Sequence, residues 1–399
     1  MQDKRAQALP KWFSTAERIL NKIRAGRVDL IMPDGRVFTF EGPEPGPSGV
    51  VEVKNPALFR RLVWGGELGV SESYIDGWWD SPDLQALLDV FLKNDAILRR
   101  ELSSWWLATA FNRVRHWLNS NSKAQARKNI SFHYDLGNKF YERWLDPSMT
   151  YSSALYDSDK ESLEQAQIRK YASVCDLVGS QPGDHLLEIG CGWGGMAEFA
   201  AKHRGLNITG LTISKEQFDF ASERMFREGL NEKVDIVLRD YRDETGQYDG
   251  VVSIEMFEAV GERYWPVFFN SVRDRLQPGA QATMQIITVQ DQFFDHYRRS
   301  VDFIQKYIFP GGMLPSPTAL QREIDKAGLV FRGSKEFGQS YSTTLREWFD
   351  RFNGDWEEIA QMGFDDRFRR IWNFYLASCA ACFRYETTDV TQITMARPS

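Results

Sequence analysis

A glycine-rich turn constrains the fold of this 399-residue chain more than any other feature of its sequence. A short apolar run at 186–189 leads directly into the turn, and a helical pattern begins near Met196. The glycines of the turn lie at positions 190, 192, 194 and 195. Because glycine allows positive φ and lets a ligand approach bare backbone amides, the stretch predicts a strand, a tight turn and a helix beside a ligand.

The spacing of this turn narrows the class of ligand. It reads Glu-x-Gly-x-Gly-x-Gly from Glu188, unlike the Gly-x-Gly-x-x-Gly dinucleotide pattern, and no Lys-Ser or Lys-Thr pair follows to hold a phosphate. An adenosyl ligand without phosphates is favoured, with a plain strand-to-helix corner as the alternative. Further strands are predicted at 206–211, 234–238 and 248–254, alternating with helices. This alternation predicts an α/β fold whose parallel strands present ligands at their carboxyl ends.

Three segments at these strand ends, 188–195, 210–217 and 256–261, together resemble a known family. They are similar to S-adenosylmethionine-dependent cyclopropane fatty acid synthases and their mycolic-acid-modifying relatives. The resemblance implies a class I methyltransferase domain over residues 126–399, Rossmann-like with a seven-stranded sheet and with helices inserted over an acyl-chain tunnel. It also implies a smaller N-terminal α+β domain over residues 1–125, for which membrane docking and dimerisation both stay open.

The resemblance also assigns residues to the cofactor, S-adenosyl-L-methionine. A Tyr-Ser pair would contact its methionyl end, and the glycine turn with its tryptophan would contact the amino-acid and ribose side. A threonine and a glutamine would meet the ribose hydroxyls, and a tyrosine after the third strand would cover the adenine ring. The cofactor residues implied in this way are Tyr151, Ser152, Glu188, Gly190, Gly192, Trp193, Thr212, Gln217, Asp240 and Tyr241.

The methyl acceptor implied by the resemblance is a carbon–carbon double bond in an acyl chain, and methylation leaves a carbocation. Loss of a proton from the new methyl closes a cyclopropane, whereas loss from a neighbouring carbon leaves a methyl- or methylene-branched chain. The base that the family is thought to use is a bicarbonate ion held by five positions. In this sequence those positions are Glu258, Tyr341, Cys379, Ser153 and Gln285.

Two of the five positions depart from the family pattern. Ser153 stands where a cysteine is expected, and Gln285 stands where a histidine is expected. Glutamine donates a hydrogen bond, but it carries no charge and cannot relay a proton. Ala259 also stands where a histidine is common. Two outcomes stay open: bicarbonate is still held by Glu258, Gln285 and Tyr341 and a cyclopropane forms, or the cation is resolved differently and a branched chain forms.

Composition and charge bear on partners and compartment. The net charge of −6 disfavours nucleic acid as a partner. Four cysteines without a paired framework, and a start without a charged and apolar leader, predict a cytoplasmic protein. The stretch 99–128 nevertheless carries seven basic residues against one acid, interleaved with tryptophans. It predicts peripheral docking on the inner face of the membrane, with a linker helix packed between domains as the alternative.

The resemblance implies unsaturated phospholipid acyl chains as the substrate, and it leaves open a homo-oligomer and a redox enzyme acting on the product. Two other classes are considered: a methyltransferase for a polar oxygen or nitrogen acceptor, and a non-catalytic lipid-binding partner of a redox enzyme. No metal is expected, because Cys379 and Cys382 have neither a second pair nor a nearby histidine.

The remaining segments carry structural expectations. A first helix is predicted to run to about Ala25, and turns are predicted at 33–35 and 42–49. Residues 291–307 would roof the acyl tunnel, followed by a signature loop at 308–316. Three aromatic residues are expected to fill a small N-terminal core, namely Tyr74, Trp78 and Trp79.

Overall fold

The structure, a computed structural model, describes residues 8–102, 136–158 and 160–399. The N-terminal elements are α1 (Phe13–Leu20), β1 (Ala25–Ile31), β2 (Val37–Glu41), β3 (Glu44–Val53), α2 (Leu58–Ile75), β4 (Trp79–Asp80), α3 (Leu84–Lys93) and α4 (Asp95–Leu102). The strands form a sheet in the order β2-β1-β3-β4, in which β1 is antiparallel to β2 and parallel to β3. The predicted turn at 33–35 joins β1 to β2, and α3 packs against β1 and β3.

The predicted extent of the first helix is wrong. The helix ends at Leu20, and Ala25 already begins β1. The side-chain oxygen of Asn94 accepts hydrogen bonds from the backbone N–H groups of Arg24 and Ala25, at 2.8 and 3.1 Å. These tertiary contacts satisfy backbone donors that a longer helix would have satisfied internally.

The predicted turn at 42–49 is also wrong, because most of it belongs to β3. The chain reverses only over residues 42–43, between β2 and β3, and the glycines that follow permit a close approach to β1. A Cβ atom on Gly46 would lie 2.7 Å from the backbone nitrogen of Gly26, which is too close for any other residue. Glycine in a strand often marks such a close backbone approach.

The C-terminal elements begin with α5 (Asn138–Glu142), α6 (Leu163–Val178), β5 (His185–Ile189), α7 (Gly195–Arg204), β6 (Asn207–Thr212), α8 (Lys215–Arg227), β7 (Val234–Leu238), β8 (Tyr248–Ile254), α9 (Trp265–Arg275) and β9 (Leu276–Val289). They continue with α10 (Asp291–Tyr297), α11 (Phe303–Tyr307), α12 (Pro317–Lys326), β10 (Val330–Glu336), α13 (Gly338–Gly354), α14 (Trp356–Gln361), α15 (Asp366–Arg384) and β11 (Thr388–Ala396). Short 3₁₀ turns lie at Tyr241–Asp243, Phe257–Ala259 and Glu262–Tyr264.

A seven-stranded sheet organises this part of the chain, in the order β10-β11-β9-β8-β5-β6-β7. Strands β5 to β9 run parallel to one another, and β11 is antiparallel to both β9 and β10. The predicted α/β class with a Rossmann-like, seven-stranded sheet is therefore confirmed. The carboxyl ends of β5, β6, β7 and β8 meet at one edge, as expected for a parallel sheet that binds a ligand there.

The two sheets are joined through helices. A buried carboxylate, that of Asp89 on α3, accepts hydrogen bonds from Arg346 on α13 and Arg384 on α15, at 2.7 and 3.0 Å. Tyr74 and Trp79 are buried as predicted, and the ring of Tyr74 packs against Phe374 on α15. The N-terminal aromatic residues thus fill a core that continues into the C-terminal helices.

Trp78 lies partly exposed beneath the guanidinium of Arg61, 4.7 Å from the ring centroid, so the prediction that it fills the core is wrong. Beyond the end of α4, the basic and aromatic stretch at 99–128 lies outside the described residues. So does the predicted domain boundary at 125 and 126.

Candidate active site

The glycine turn follows β5 as predicted, and its backbone conformation requires glycine. Gly190, Gly192 and Gly194 have φ values of +86°, +55° and +82°. At Gly190 a Cβ atom would also lie 2.7 Å from the side chain of Met256. Glycine adopts positive φ without steric cost, so the chain can make this turn, while the N–H groups of Gly190 and Cys191 donate to the carbonyl of Leu211 at 2.9 Å.

Glu188, at the end of β5, carries a buried carboxylate beside this turn. Its Oε2 atom has no hydrogen-bond partner among the residues that the structure describes. Burial raises the pKa of Glu188, and the nearby ammonium of Lys170 opposes that increase. An unpartnered buried oxygen that faces a cavity is suited to accept a hydrogen bond from a ligand.

Lys170 on α6 is itself buried, and its Nζ donates a 2.7 Å hydrogen bond to Oγ of Ser152. Burial lowers the pKa of this lysine, while the nearby carboxylates raise it. Lys170 therefore forms a hydrogen bond with the serine of the Tyr-Ser pair and also interacts with the charges of the nearby carboxylates. The other member of that pair, Tyr151, exchanges a hydrogen bond with the hydroxyl of Tyr375 on α15 at 2.8 Å.

The residues predicted to meet the ribose lie at the end of β6. The hydroxyl of Thr212 donates a 2.9 Å hydrogen bond to Oε1 of Gln217, and both side chains are buried. After β7, Asp240 accepts hydrogen bonds of 2.8 and 2.6 Å from the guanidinium of Arg242. The ring of Tyr241 packs edge-on against Phe268. Contacts within the protein thus hold these side chains in place.

The indole of Trp193 lies in the glycine turn and also lines the site. Its Nε1 donates a 2.8 Å hydrogen bond to Asn138, and its ring centroid lies 4.9 Å from that of Tyr141. All ten residues predicted for the cofactor line one cavity of 1440 Å³. This volume exceeds the roughly 300–1,000 Å³ of a typical small-molecule site. The cavity therefore has room beyond the cofactor.

Apolar side chains form much of the rest of the cavity wall, and charged side chains such as Glu72, Arg299 and Lys306 also line it. Phe303 and Ile304 of α11 line it, as do Phe309 and Met313 of the predicted signature loop. Residues of the N-terminal sheet and helices line its far side, including Leu30, Val51, Leu58, Leu62 and Phe91. Residues 291–307, which were predicted to roof the acyl tunnel, contain α10 and α11, and side chains of both helices line the cavity. A long apolar compartment thus continues from the cofactor side of the site.

A further carboxylate, which was not among the predicted site residues, also lines the cavity. Glu255 follows the last residue of β8, lines the cavity, and has a φ of +49°. Its Oε1 accepts hydrogen bonds of 2.8 Å from the backbone N–H of Ser153 and from Nε2 of Gln285. Its Oε2 accepts a 2.6 Å hydrogen bond from the hydroxyl of Tyr341. Three of the five positions predicted for the anion therefore surround this side chain.

The other two predicted positions lie elsewhere in the cavity. Oε1 of Glu258 accepts a 2.6 Å hydrogen bond from the backbone N–H of Ile287, and Oε2 has no hydrogen-bond partner among the described residues. Burial and the neighbouring charge of Glu255 raise the pKa of Glu258 to about 8. Cys379 on α15 lines the cavity, and burial raises the pKa of its thiol well above the usual value.

Opposing effects determine the pKa of Glu255. Burial raises the pKa of this carboxyl, whereas the hydrogen bonds from Tyr341 and Gln285 and the charge of Lys170 lower it. Burial also raises the pKa of Tyr341 well above 10, so the phenol stays protonated and donates. A signal for Glu255 existed in the sequence, since it immediately follows a predicted parallel strand. Nothing in the spacing distinguished it from Glu258 three residues later.

Comparison with known proteins decides the family. Residues 121–393 match the family model described as mycolic acid cyclopropane synthetase. This chain belongs to the cyclopropane synthase family. Cyclopropane-fatty-acyl-phospholipid synthase of Escherichia coli K12 is 38% identical over 387 residues, which cover 97% of this chain and 94% of that protein. Tuberculostearic acid methyltransferase UfaA1 of Mycobacterium tuberculosis is also 38% identical, over 380 residues that cover 92% of this chain and 87% of that protein.

A solved structure agrees with the family assignment. Mycolic acid cyclopropane synthase CmaA1, in complex with SAH and CTAB, matches with a TM-score of 0.64 and 28% identity, covering 68% of this chain and 98% of that chain. This cyclopropane synthase family member is an S-adenosylmethionine-dependent methyltransferase, and the predicted family, enzyme class and cofactor are confirmed. Along the described residues, no helix combines the length and apolar character that crossing a bilayer would require.

Proposed function

We propose that this enzyme transfers the methyl group of S-adenosylmethionine to a double bond in an unsaturated phospholipid acyl chain and resolves the resulting cation to a cyclopropane. The observation that carries the proposal is the 1440 Å³ cavity, which joins the ten predicted cofactor residues to a largely apolar compartment. A polar methyl acceptor would instead be matched by polar walls. The synthase from Escherichia coli, whose name specifies fatty-acyl-phospholipid cyclopropanation, supports the same chemistry.

The residues present fit the cofactor. The unpartnered oxygen of Glu188 provides a hydrogen-bonding group for it, and the glycines at positive φ let it approach the backbone closely. When bound, the cofactor supplies a methyl group activated on a sulfonium. Tyr151, Trp193 and Phe309 line the cavity beside this region, where aromatic faces stabilise positive charge and exclude water from a reacting cation.

A branched product is the second candidate. Gln285 and Ala259 stand where the family pattern has histidines, so proton removal need not follow the usual course. UfaA1, equally similar at 38% identity, is named a tuberculostearic acid methyltransferase. If a methylene-branched alkene forms, a redox enzyme would be the partner that consumes it.

One experiment separates these products. Purified protein is incubated with labelled S-adenosylmethionine and monounsaturated phospholipid, and acyl chains that gain one carbon are treated with ozone and examined by mass spectrometry. A labelled chain that resists ozone is a cyclopropane and supports the proposal. A labelled chain that is cleaved is a branched alkene and replaces it with the second candidate. Label in a polar acceptor, or in no lipid, contradicts both.

We also propose that the enzyme acts at the anionic inner surface of the membrane. The support is the basic and tryptophan-rich composition of the stretch 99–128, since such residues favour anionic headgroups and the bilayer interface. The test replaces four arginines by glutamine and measures binding to anionic vesicles at low salt. They are Arg99, Arg100, Arg113 and Arg115. Weaker binding is expected, and unchanged binding would remove the docking role.

A further inference from the structure

The carboxylate of Glu255 already accepts the hydrogen bonds that an exchangeable anion would need. Its Oε1 accepts hydrogen bonds from the backbone N–H of Ser153 and from the side-chain amide of Gln285, and its Oε2 accepts one from the hydroxyl of Tyr341. A bicarbonate ion placed here would find those donors already used, and its negative charge would lie against the charge of the Glu255 carboxylate. The residues present therefore do not fit bicarbonate at this position.

The orientation of Gln285 is determined by a chain of hydrogen bonds behind Glu255. The hydroxyl of Ser173 donates to Oε1 of Gln392 at 2.6 Å, and Nε2 of Gln392 donates to Oε1 of Gln285 at 3.1 Å. Nε2 of Gln285 is thereby directed toward Glu255 and toward the backbone carbonyl of Ser153, at 2.8 and 3.2 Å. A neutral amide donor in this position suits a fixed carboxylate, which already carries the charge. This accounts for glutamine where the family pattern has histidine.

The backbone also holds Glu255 firmly. Its φ of +49° lies in the left-handed region, which residues other than glycine seldom adopt, and its N–H donates to the carbonyl of Gln285 at 2.8 Å. Backbone strain of this kind persists where the surrounding structure determines it, and it clusters at active sites. The end of the strand, rather than a flexible loop, therefore fixes the position of this side chain in the lining of the cavity.

We propose that Glu255 is the catalytic base of this enzyme, a carboxylate built into the chain in place of bicarbonate. The proposal rests on the proposed function. The double-bond electron pair forms a bond to the methyl carbon, and the carbon–sulfur bond breaks with its electrons remaining on sulfur. A carboxylate oxygen of Glu255 then takes one proton from the cation. The electron pair of that carbon–hydrogen bond closes the ring, and the proton leaves Glu255 to solvent before the next turnover.

The geometry of the carboxylate is compatible with this role. Oε2 accepts one hydrogen bond from the described residues, that of Tyr341, and keeps a lone pair for a substrate proton. Ser153 and Gln285 lie behind Glu255, outside the lining of the cavity, so the carboxylate is the group of this cluster that, with Tyr341, meets the cavity. The two buried neighbours therefore position the base without contacting the substrate.

The test compares wild type, E255G and E255Q in carbon-dioxide-free buffer, with and without millimolar sodium bicarbonate. Glycine suits positive φ, so E255G is expected to fold, and binding of S-adenosylhomocysteine verifies this for each variant. Wild type should make lipid product at the same rate with or without bicarbonate. E255G should lose about 100-fold or more in kcat, as expected on removal of a general base, and bicarbonate should restore part of the rate. E255Q should be inactive without rescue, since its amide fills the same space.

The outcomes separate the two proposals. Wild type that depends on bicarbonate, or E255G and E255Q that keep full activity, would overturn the role of Glu255 while leaving lipid methylation standing. Wild type that binds S-adenosylhomocysteine but modifies no lipid under either condition would overturn the proposed function, and the role of Glu255 with it. E164Q, which changes an exposed glutamate in the first turn of α6, is the control and should match wild type.

Discussion

Tyr341 donates a hydrogen bond to Glu255 across 86 positions of the chain, with 2.6 Å between the phenol oxygen and Oε2. Tyr341 lies in the first turn of α13, and Glu255 directly follows β8. Helix α13 packs against α15 and β11, so the contact ties the late helices of the chain to the centre of the sheet. The state of the carboxylate therefore depends on the packing of elements that are remote in sequence.

Removal of this hydroxyl should slow the reaction without weakening cofactor binding. A hydrogen bond to a charged group contributes about 1.5–3 kcal/mol, so Y341F should lower kcat by about 10- to 100-fold. The measurement is methyl transfer to lipid together with the Kd of S-adenosylhomocysteine. Y156F is the matched control, because the buried hydroxyl of Tyr156 has no hydrogen-bond partner among the described residues. A rate for Y341F equal to that of Y156F would contradict the prediction.

The pH dependence of kcat should report the ionisation of Glu255. Burial raises its pKa, and a base must be ionised, so kcat should fall as the pH decreases through that raised pKa. Q285M removes a donor that stabilises the carboxylate, which should raise the pKa further and move the acidic limb to higher pH. A pH–rate profile of both proteins checks this. Q361M, at an exposed position at the end of α14, should leave the limb in place.

The glycine turn should tolerate no side chain at position 190. G190A combines a φ of +86° with a Cβ atom 2.7 Å from Met256, so it should destabilise the fold and abolish cofactor binding. G183A is the control, since Gly183 has a φ of +96° and a Cβ atom there would meet nothing within 4 Å. Denaturant unfolding should show that backbone strain lowers the free energy of unfolding of G183A by about 1–3 kcal/mol and that G190A loses more. Equal losses would mean that the contact with Met256 relaxes at no cost.

Glu188 should matter for cofactor affinity rather than for the chemical step. E188Q weakens the acceptor at the unpartnered Oε2, and the Kd of S-adenosylhomocysteine should rise by about 10-fold or more. Calorimetric titration measures this, and saturating cofactor should restore most of kcat. E164Q serves again as the exposed control. A large loss of kcat at saturation would instead place Glu188 in the reaction itself.

The contact between the two sheets should depend on one buried carboxylate. D89A removes the partner of Arg346 and Arg384, whose side chains are 28% and 40% exposed, so the loss of these charge-assisted hydrogen bonds should cost about 1.5–3 kcal/mol. Urea unfolding should show that loss. D219A removes an exposed pair with Lys215 and should cost no more than about 1 kcal/mol. If D89A is as stable as D219A, the helices hold the two parts together without this pair.

Local sequence patterns were sufficient for the backbone of the cofactor half of the site. The strands predicted at 234–238 and 248–254 are observed as β7 and β8 with those bounds, and the helix predicted to begin near Met196 starts one residue earlier. Glycine spacing and period-two apolar runs act within a few residues, so they can be read without knowing the fold. The resemblance then supplied cofactor residues, and all of them line one cavity.

The tertiary structure determined which of two carboxylates accepts the hydrogen bonds from Tyr341 and Gln285. Glu255 and Glu258 follow the same strand, yet Tyr341 and Gln285 contact Glu255, whereas Glu258 turns to the backbone of Ile287. The same holds for the 42–49 stretch, whose glycines read as a turn but form β3. Side-chain partners separated by tens to hundreds of positions are chosen by packing and burial. Residue spacing along the chain does not encode that choice, because it becomes definite only when the sheets and helices are in place.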